Sequence, residues 1–140
     1  MSNIAIVYWS GTGNTEAMAN AVCDGAKAAG ANVSLFTPSE FSASMMDGFD
    51  AIAFGCPSMG AEQLEDTEFE PMFADCEPKL SGRRIALFGS YGWGDGEWMR
   101  NWEDTCRADG AHLAADSVIC MDAPDAEAEA QCRALGAALV

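Results

Sequence analysis
The sequence predicts an α/β fold built on a doubly wound, five-stranded parallel sheet, and three observations predict it. Strand-like and helix-like segments alternate five times along the 140 residues, the pattern of parallel strands joined by right-handed helical crossovers. Two segments, Asp50–Gly55 and Arg84–Gly89, are continuous apolar runs ending in glycine, as strands buried on both faces are. The apolar stretch Ile4–Trp9 runs directly into Ser10-Gly11-Thr12-Gly13-Asn14-Thr15 and then into a helix. Such a turn offers free backbone N–H groups and the positive end of a helix dipole to an anion.

Each element follows in order. Ile4–Trp9 is the first strand. The first helix runs from Asn14 to Ala29, with Met18, Ala21, Val22 and Ala26 on one face and Gly30 as its stop. Asn32–Phe36 is the second strand. Pro38, Ser39 and Ser42 mark a loop, with at most a short helix over Phe41–Met46. Asp50–Gly55 is the third strand, followed by a loop and a helix near Pro71–Asp75, where proline is acceptable in the first turn. Arg84–Gly89 is the fourth strand. Glu97–Ala108 is a helix with Trp98, Trp102 and Cys106 spaced four apart. His112–Cys120 is the fifth strand and Asp125–Leu139 the last helix, its first turn acidic as the dipole favours. No repeat or linker interrupts the pattern, so residues 1–140 are expected to form one domain.

Composition narrows the function. The chain carries 22 acids against 7 bases, a net charge of −15. Such a surface repels nucleic acid and anionic membranes and suits docking on basic partners. Met1-Ser2-Asn3 offers no basic region before an apolar stretch, so no signal peptide is expected, and no apolar run approaches the ~20 residues of a membrane span. The six cysteines include no CxxC pair, so zinc and iron–sulfur sites lack their usual spacing. The expectation is a reducing, cytoplasmic compartment and no bound metal. His112 is a lone histidine at a strand start and reads as structural. No acid–base pair marks a catalytic site, so no catalytic residue is assigned.

Ligands of doubly wound sheets sit beyond the carboxyl ends of the strands. Three loops leave those ends: Ser10–Thr15, Pro57–Glu62 and Ser90–Trp98. The first has hydroxyls at Ser10, Thr12 and Thr15, an amide at Asn14, and glycines at Gly11 and Gly13 that let the backbone close around a phosphate. It contains no Lys or Arg, which excludes a GxxxxGK[ST] triphosphatase loop. A dinucleotide fingerprint is excluded too, because its third glycine position is Glu16. The third loop combines glycines with Trp93 and Trp98. A planar ligand between Met59 and Trp93 would give Trp93 something to pack on, whereas Trp98, on the helix side, is expected to cap the core.

These residues resemble the short-chain flavodoxins of anaerobic bacteria over nearly the whole chain. Three motifs carry the resemblance: Tyr8-Trp9-Ser10-Gly11-Thr12-Gly13-Asn14-Thr15-Glu16, Gly55-Cys56-Pro57-Ser58-Met59-Gly60, and Leu87-Phe88-Gly89-Ser90-Tyr91-Gly92-Trp93-Gly94-Asp95-Gly96. The fifth strand shows no long insertion. The resemblance implies a flavodoxin-like sheet of order 2-1-3-4-5 with helices on both faces and FMN at the switch point, the family's known arrangement. It implies a low-potential one-electron carrier acting in place of ferredoxin, with no substrate turnover of its own. Its partners would be low-potential oxidoreductases and flavodoxin or ferredoxin reductases with basic docking faces, met as a monomer.

The same resemblance assigns roles. Ser10, Gly11, Thr12, Gly13, Asn14 and Thr15 would cradle the phosphate. Pro57, Ser58, Met59, Gly60, Ala61 and Glu62 would border the ring, with Met59 on one face, Trp93 on the other, and Glu62 accepting from ring N3–H. Backbone N–H groups near Gly92 and Trp93 would meet the pyrimidine carbonyl. Ser90, Tyr91 and Gly96 complete the set, with Ser90 near the phosphate or ribityl chain; Asp122 is a weaker ribityl candidate. Glu62, Glu65, Asp66, Glu68, Asp95 and Glu97 would form an acidic face around the ring edge. In the family the peptide after the loop glycine, here Gly60–Ala61, turns over on reduction. That forces positive φ onto Ala61, costing a non-glycine residue ~1–2 kcal/mol.

Two relatives in architecture are excluded. A receiver domain needs acids after the first strand, where this chain has Tyr8, Trp9 and Ser10. A tyrosine phosphatase needs a Cys-x5-Arg loop, and no arginine lies between Cys56 and Arg83. The remaining alternative is a flavodoxin-like FMN module dedicated to activating one partner enzyme.

Overall fold
The computed structural model describes residues 2–140. Its regular elements are β1 (Asn3–Tyr8), α1 (Asn14–Ala28), β2 (Asn32–Phe36), β3 (Ala51–Gly55), α2 (Phe69–Cys76), β4 (Arg84–Tyr91), α3 (Glu97–Ala108), β5 (His112–Leu113), β6 (Val118–Met121) and α4 (Ala126–Ala138). The sheet order is β2-β1-β3-β4-β5, with β6 also on β4 and every pairing parallel. This is the 2-1-3-4-5 order implied by the resemblance. Among the described residues, no helix is long and apolar enough to cross a membrane.

The fifth strand departs from the expected continuous run over His112–Cys120. Ile85 faces Leu113, and Phe88 faces Val118. Three steps along β4 therefore meet five along the edge, and the two surplus residues leave the ladder between β5 and β6. Edge strands tolerate such a bulge because nothing pairs on their far side. Residues 38–48 form two 3₁₀ turns, Pro38–Glu40 and Ala43–Gly48, where one short helix over Phe41–Met46 was expected. The Glu40 carboxylate accepts the Thr37 N–H at 2.9 Å and closes the first turn. The α2 helix starts two residues ahead of Pro71, which leaves the proline in the first turn, where its missing N–H costs nothing.

Alternation along the strands divides the core. Ala5, Val7, Ile52, Phe54, Ile85 and Leu87 pack under α2 and α3. Ile4, Ile6, Ala51, Ala53, Ala86 and Phe88 pack under α1 and α4. The two helical layers are built differently. The α1 and α4 backbones touch: a Cβ at Gly25 would lie 1.9 Å from the Arg133 carbonyl oxygen, and one at Gly136 would lie 2.0 Å from that of Val22. The α2 and α3 helices meet through rings. Trp102 stands edge-on to Phe69 and Phe73, at centroid distances of 5.5 and 5.6 Å. Trp98 is buried, and its indole N–H donates to the Cys56 carbonyl at 3.2 Å, so it caps the core as expected. Five of the six free cysteines are buried. Burial pushes the Cys56, Cys106 and Cys132 thiols up to about 12, which makes them packing groups and not nucleophiles.

One acid works against this layer. Glu77 follows the last turn of α2, where the dipole disfavours negative charge. Burial, then Asp109 and Glu70, push its carboxyl up to about 7. The native state thus holds a proton that the unfolded chain, with an ordinary value of 4.5, releases. This contribution makes stability fall as pH rises from about 4.5 to about 7. Glu77→Gln is expected to raise the melting temperature at pH 8 and to leave it unchanged at pH 4. Thermal melts across that range measure the difference.

Candidate functional site
The loops after β1, β3 and β4 meet at the carboxyl edge of the sheet and enclose a cleft of about 230 Å³. It is lined by Trp9, Ser10, Gly11, Thr12, Asn14, Thr15, Pro57, Ser58, Met59, Ser90, Tyr91, Gly92 and Asp122.

The first loop is shaped from within. Ser10 Oγ accepts the N–H groups of Gly13 at 3.1 Å and Glu16 at 3.2 Å. Its acceptor capacity goes to the loop, and its O–H remains a donor. Gly13, at φ 96°, takes the N-cap position of α1 in a left-handed conformation and brings no capping side chain. Among the described residues, the N–H groups of Thr12, Asn14 and Thr15 have no acceptor within the protein. Thr15 is buried, at 2 % exposure. These donors and the α1 dipole form an anion cradle without a cation. Trp9 closes one side, with its ring so near Gly11 that a Cβ there would lie 2.9 Å from it.

The second loop is closed at both ends. Met59 and Gln63 exchange two backbone hydrogen bonds of 2.8 Å, and the Glu65 N–H donates to Cys56 Sγ at 3.3 Å. The positive-φ residues in this turn are Gly60, at 54°, and Glu62, at 53°, with Ala61 between them. Ser58 Oγ is buried and has no hydrogen-bond partner. Below the loop lies Glu65, 4 % exposed, whose carboxylate caps α2. It accepts from the N–H groups of Thr67, Glu68 and Phe69 at 2.8–2.9 Å and from the Thr67 hydroxyl.

The third loop is tied to β6. Ser90 Oγ donates to the Asp122 carbonyl at 2.7 Å, and the Asp122 N–H donates to the Tyr91 carbonyl at 2.9 Å. These bonds hold Asp122 at φ 58°, a left-handed value for a residue that tolerates it. The Glu62 carboxylate is turned to the start of α3, accepting the Glu97 N–H at 3.1 Å. Glu62, Asp95 and Glu97 place carboxylate oxygens within 4.8 Å of one another. Arg100 donates to Asp95 at 3.0 Å.

The structure brings Ser10, Gly11, Thr12, Asn14, Thr15, Pro57, Ser58, Met59, Ser90, Tyr91 and Gly92 to one cleft. It places Gly13, Gly60, Ala61, Glu62, Trp93 and Gly96 outside the lining. Gly13 and Gly96, at φ 96° and 92°, shape the starts of α1 and α3. Trp93 is 55 % exposed and Met59 37 % exposed. Trp9 is a lining residue the sequence reading left out, although its place directly before the anion loop pointed to it. Asp122, held as the weaker candidate, also lines the cleft.

These residues fit the FMN implied by the resemblance. Free N–H groups and hydroxyls face one end, the orphaned Ser58 hydroxyl sits in the wall, and Trp9, Met59 and Tyr91 supply apolar surface. No Lys, Arg or His lines the cleft.

Comparison with known proteins agrees. The model of the Flavodoxin family matches residues 6–136. The chain is 46 % identical over 135 residues to the flavodoxin of Megasphaera elsdenii, covering 96 % of each chain. It is 43 % identical over 131 residues to that of Clostridium beijerinckii, covering 94 % of each. The solution structure of two-electron reduced Megasphaera elsdenii flavodoxin superimposes with a TM-score of 0.89, covering 97 % of each chain at 46 % identity.

The buried Glu65 carboxylate yields a prediction of its own. Burial raises its affinity for a proton, but the donated hydrogen bonds outweigh that and hold it below the ordinary 4.5. Its stabilisation is therefore present above pH 4.5 and is lost as pH falls through the native value. Glu65→Gln turns an amide NH₂ toward N–H donors and is expected to cost about 1–3 kcal/mol at pH 7. The gap in urea midpoints between parent and variant closes as the medium is acidified below pH 4.

Proposed function
The chain belongs to the flavodoxin family, and from that premise we propose the part it plays in electron flow. Flavodoxins bind FMN and carry electrons; they are electron-transfer proteins and not catalysts. We propose that this chain is a low-potential one-electron carrier that stands in for ferredoxin. We assign it to the cytoplasm, as a monomer working with basic-faced oxidoreductases and reductases. FMN, when bound, supplies the one-electron chemistry.

The observation that carries the reading is the cleft's uncompensated donor set: backbone N–H groups at Thr12, Asn14 and Thr15, beside a cleft with no base in its lining. In this reading Ser10, Thr12, Asn14 and Thr15 hold the phosphate, and Gly11 and Gly13 let the loop wrap it. Pro57, Ser58 and Met59 border the ring, together with Gly60, Ala61 and Glu62. Tyr91, Gly92 and Trp93 cover its other side, while Ser90 and Gly96 fix that loop. Asp122 and Trp9 join the set as residues of the cleft wall. The acidic rim and the net charge of −15 disfavour further negative charge in the cleft. A unit charge ~10 Å away costs roughly 0.5–1.5 kcal/mol at intermediate dielectric. A few such charges move a one-electron couple by on the order of 100 mV. The rim also suits basic partners, and the unpaired cysteines suit a reducing compartment.

Two experiments test this. Apoprotein supplied with FMN should quench its fluorescence and retain it through gel filtration. Riboflavin, lacking the phosphate, should bind at least about a hundredfold more weakly, since it forfeits several charge-assisted hydrogen bonds. Anaerobic potentiometry of the loaded protein should put the second one-electron potential on the order of 100 mV or more below that of free FMN. Equal retention of the two flavins would refute the phosphate assignment, and a potential at or above that of free FMN would refute the low-potential assignment. In a separate titration, Ala61→Gly should raise the first one-electron potential, because glycine adopts positive φ without strain. An unchanged first potential would remove Ala61 as a source of strain.

A further inference from the structure
The layer over β3 and β4 carries a groove of about 300 Å³ between α2 and α3. Three buried aromatic residues, Phe73, Trp98 and Trp102, form its floor, and Glu62, Glu70 and Glu77 supply its carboxylates. No base lines it. The nearby bases are engaged elsewhere. Lys79 pairs with Asp47 at 3.6 Å, Arg100 with Asp95 at 3.0 Å and Arg107 with Asp104 at 3.8 Å. Arg83 donates to the carbonyls of Met46 and Phe49. No base therefore neutralises the carboxylates of Glu62 and Glu70, and Glu77, pushed up to about 7, adds its full charge only above that pH.

We propose that the α2–α3 groove seats a lysine side chain presented by the basic face of a redox partner. An apolar wall of Leu64 and Ala74, backed by buried rings and set among separated carboxylates, complements a long apolar stem that ends in a positive charge. The methylenes lie along Leu64 and Ala74, above the buried rings, and the ammonium meets the carboxylates. The three carboxylates come from a loop, the first turn of α2 and its C-cap. That spread suits a rotating point charge better than the planar fork of arginine. Glu62 belongs both to this groove and to the carboxylate cluster with Asp95 and Glu97. Those two follow shortly after Tyr91 and Gly92, which line the cleft, so a protein anchored here lies near the cofactor site. The proposal rests on the reading of the chain as a carrier for basic partners and names where one of them takes hold.

The test uses the FMN-loaded protein and a hexalysine amide peptide, followed by two-dimensional NMR of the tryptophan indole N–H groups. The Trp102 indole N–H is buried without an acceptor and serves as a local reporter. Saturable shifts of the Trp98 and Trp102 signals are expected. The double variant Glu70→Gln/Glu77→Gln should weaken the peptide's affinity about ten-fold. The charge-matched double variant Asp24→Asn/Glu127→Gln, on the opposite helical layer, should change it less than about two-fold. Melting curves confirm that both variants fold. The proposal is overturned if no indole shifts, if shifts are confined to Trp9 and Trp93, or if both double variants weaken binding equally. Each of those outcomes leaves FMN binding and the measured potentials intact. Failure of the carrier reading would instead show in the flavin titrations, with the groove shifts unaffected.

Discussion
The structure turns on a helix that begins without an acceptor for its first two donors, the N–H groups of Asn14 and Thr15. Free N–H groups near a helix start are stable only when water or an anion satisfies them. Here the usual side-chain cap is absent, because Gly13 occupies that place. Ser10, which could have faced the ligand with its acceptor lone pairs, turns them inward to fix the loop. The remaining donors are left pointing at the cleft. A lysine at this point would have bound the anion more tightly, but it would also have placed a positive charge beside the ring. The low-potential role proposed above is served by the opposite sign, and a cradle of neutral donors would bind a phosphate without reversing the field.

Two glutamates, Glu65 buried and Glu77 half-buried, show how context decides what a carboxylate does. Glu65 lies at the start of α2, where four donors and the dipole surround it, and its ionised form is favoured. Glu77 lies at the other end of the same short helix, beside Asp109 and Glu70, and its ionised form is disfavoured. One anchors the loop that borders the cleft and the other faces the groove. The same residue type at opposite ends of eight residues contributes stability in one place and removes it in the other.

Much of this was legible in the chain itself. The apolar runs over β3 and β4 and the strand–loop–helix opening fixed the sheet and the side on which the cleft would form. Periodicity could not locate the split between β5 and β6, because it reads faces and not register: two surplus residues on an edge leave the alternation nearly undisturbed. Cleft-lining residues were legible where backbone geometry decides them, at Ser10–Thr12 and Asn14–Thr15. They were less so where side-chain direction decides them. The Glu62 carboxylate turns to the N terminus of α3, and Trp93 stands in solvent. Glu65 was read as one acid of a surface rim, since nothing in the order Glu65-Asp66-Thr67-Glu68 announces a buried cap until the loop above it closes.

The two helical layers divide the mechanical work. Backbone contact at Gly25 and Gly136 packs the α1–α4 layer closely, and α1 is the helix whose start forms the anion cradle. Close packing there serves binding, since donors held in place need no reorganisation when the anion arrives. The α2–α3 layer is spaced by aromatic edges and lined by unpaired acids, and both of its helices follow loops that border the cleft. A closer α2–α3 contact would need smaller groups than Phe73 and Trp102 and would close the groove. In the readings proposed above, the looser layer carries the surface that other proteins meet, and the tighter one carries the helix whose start holds the phosphate.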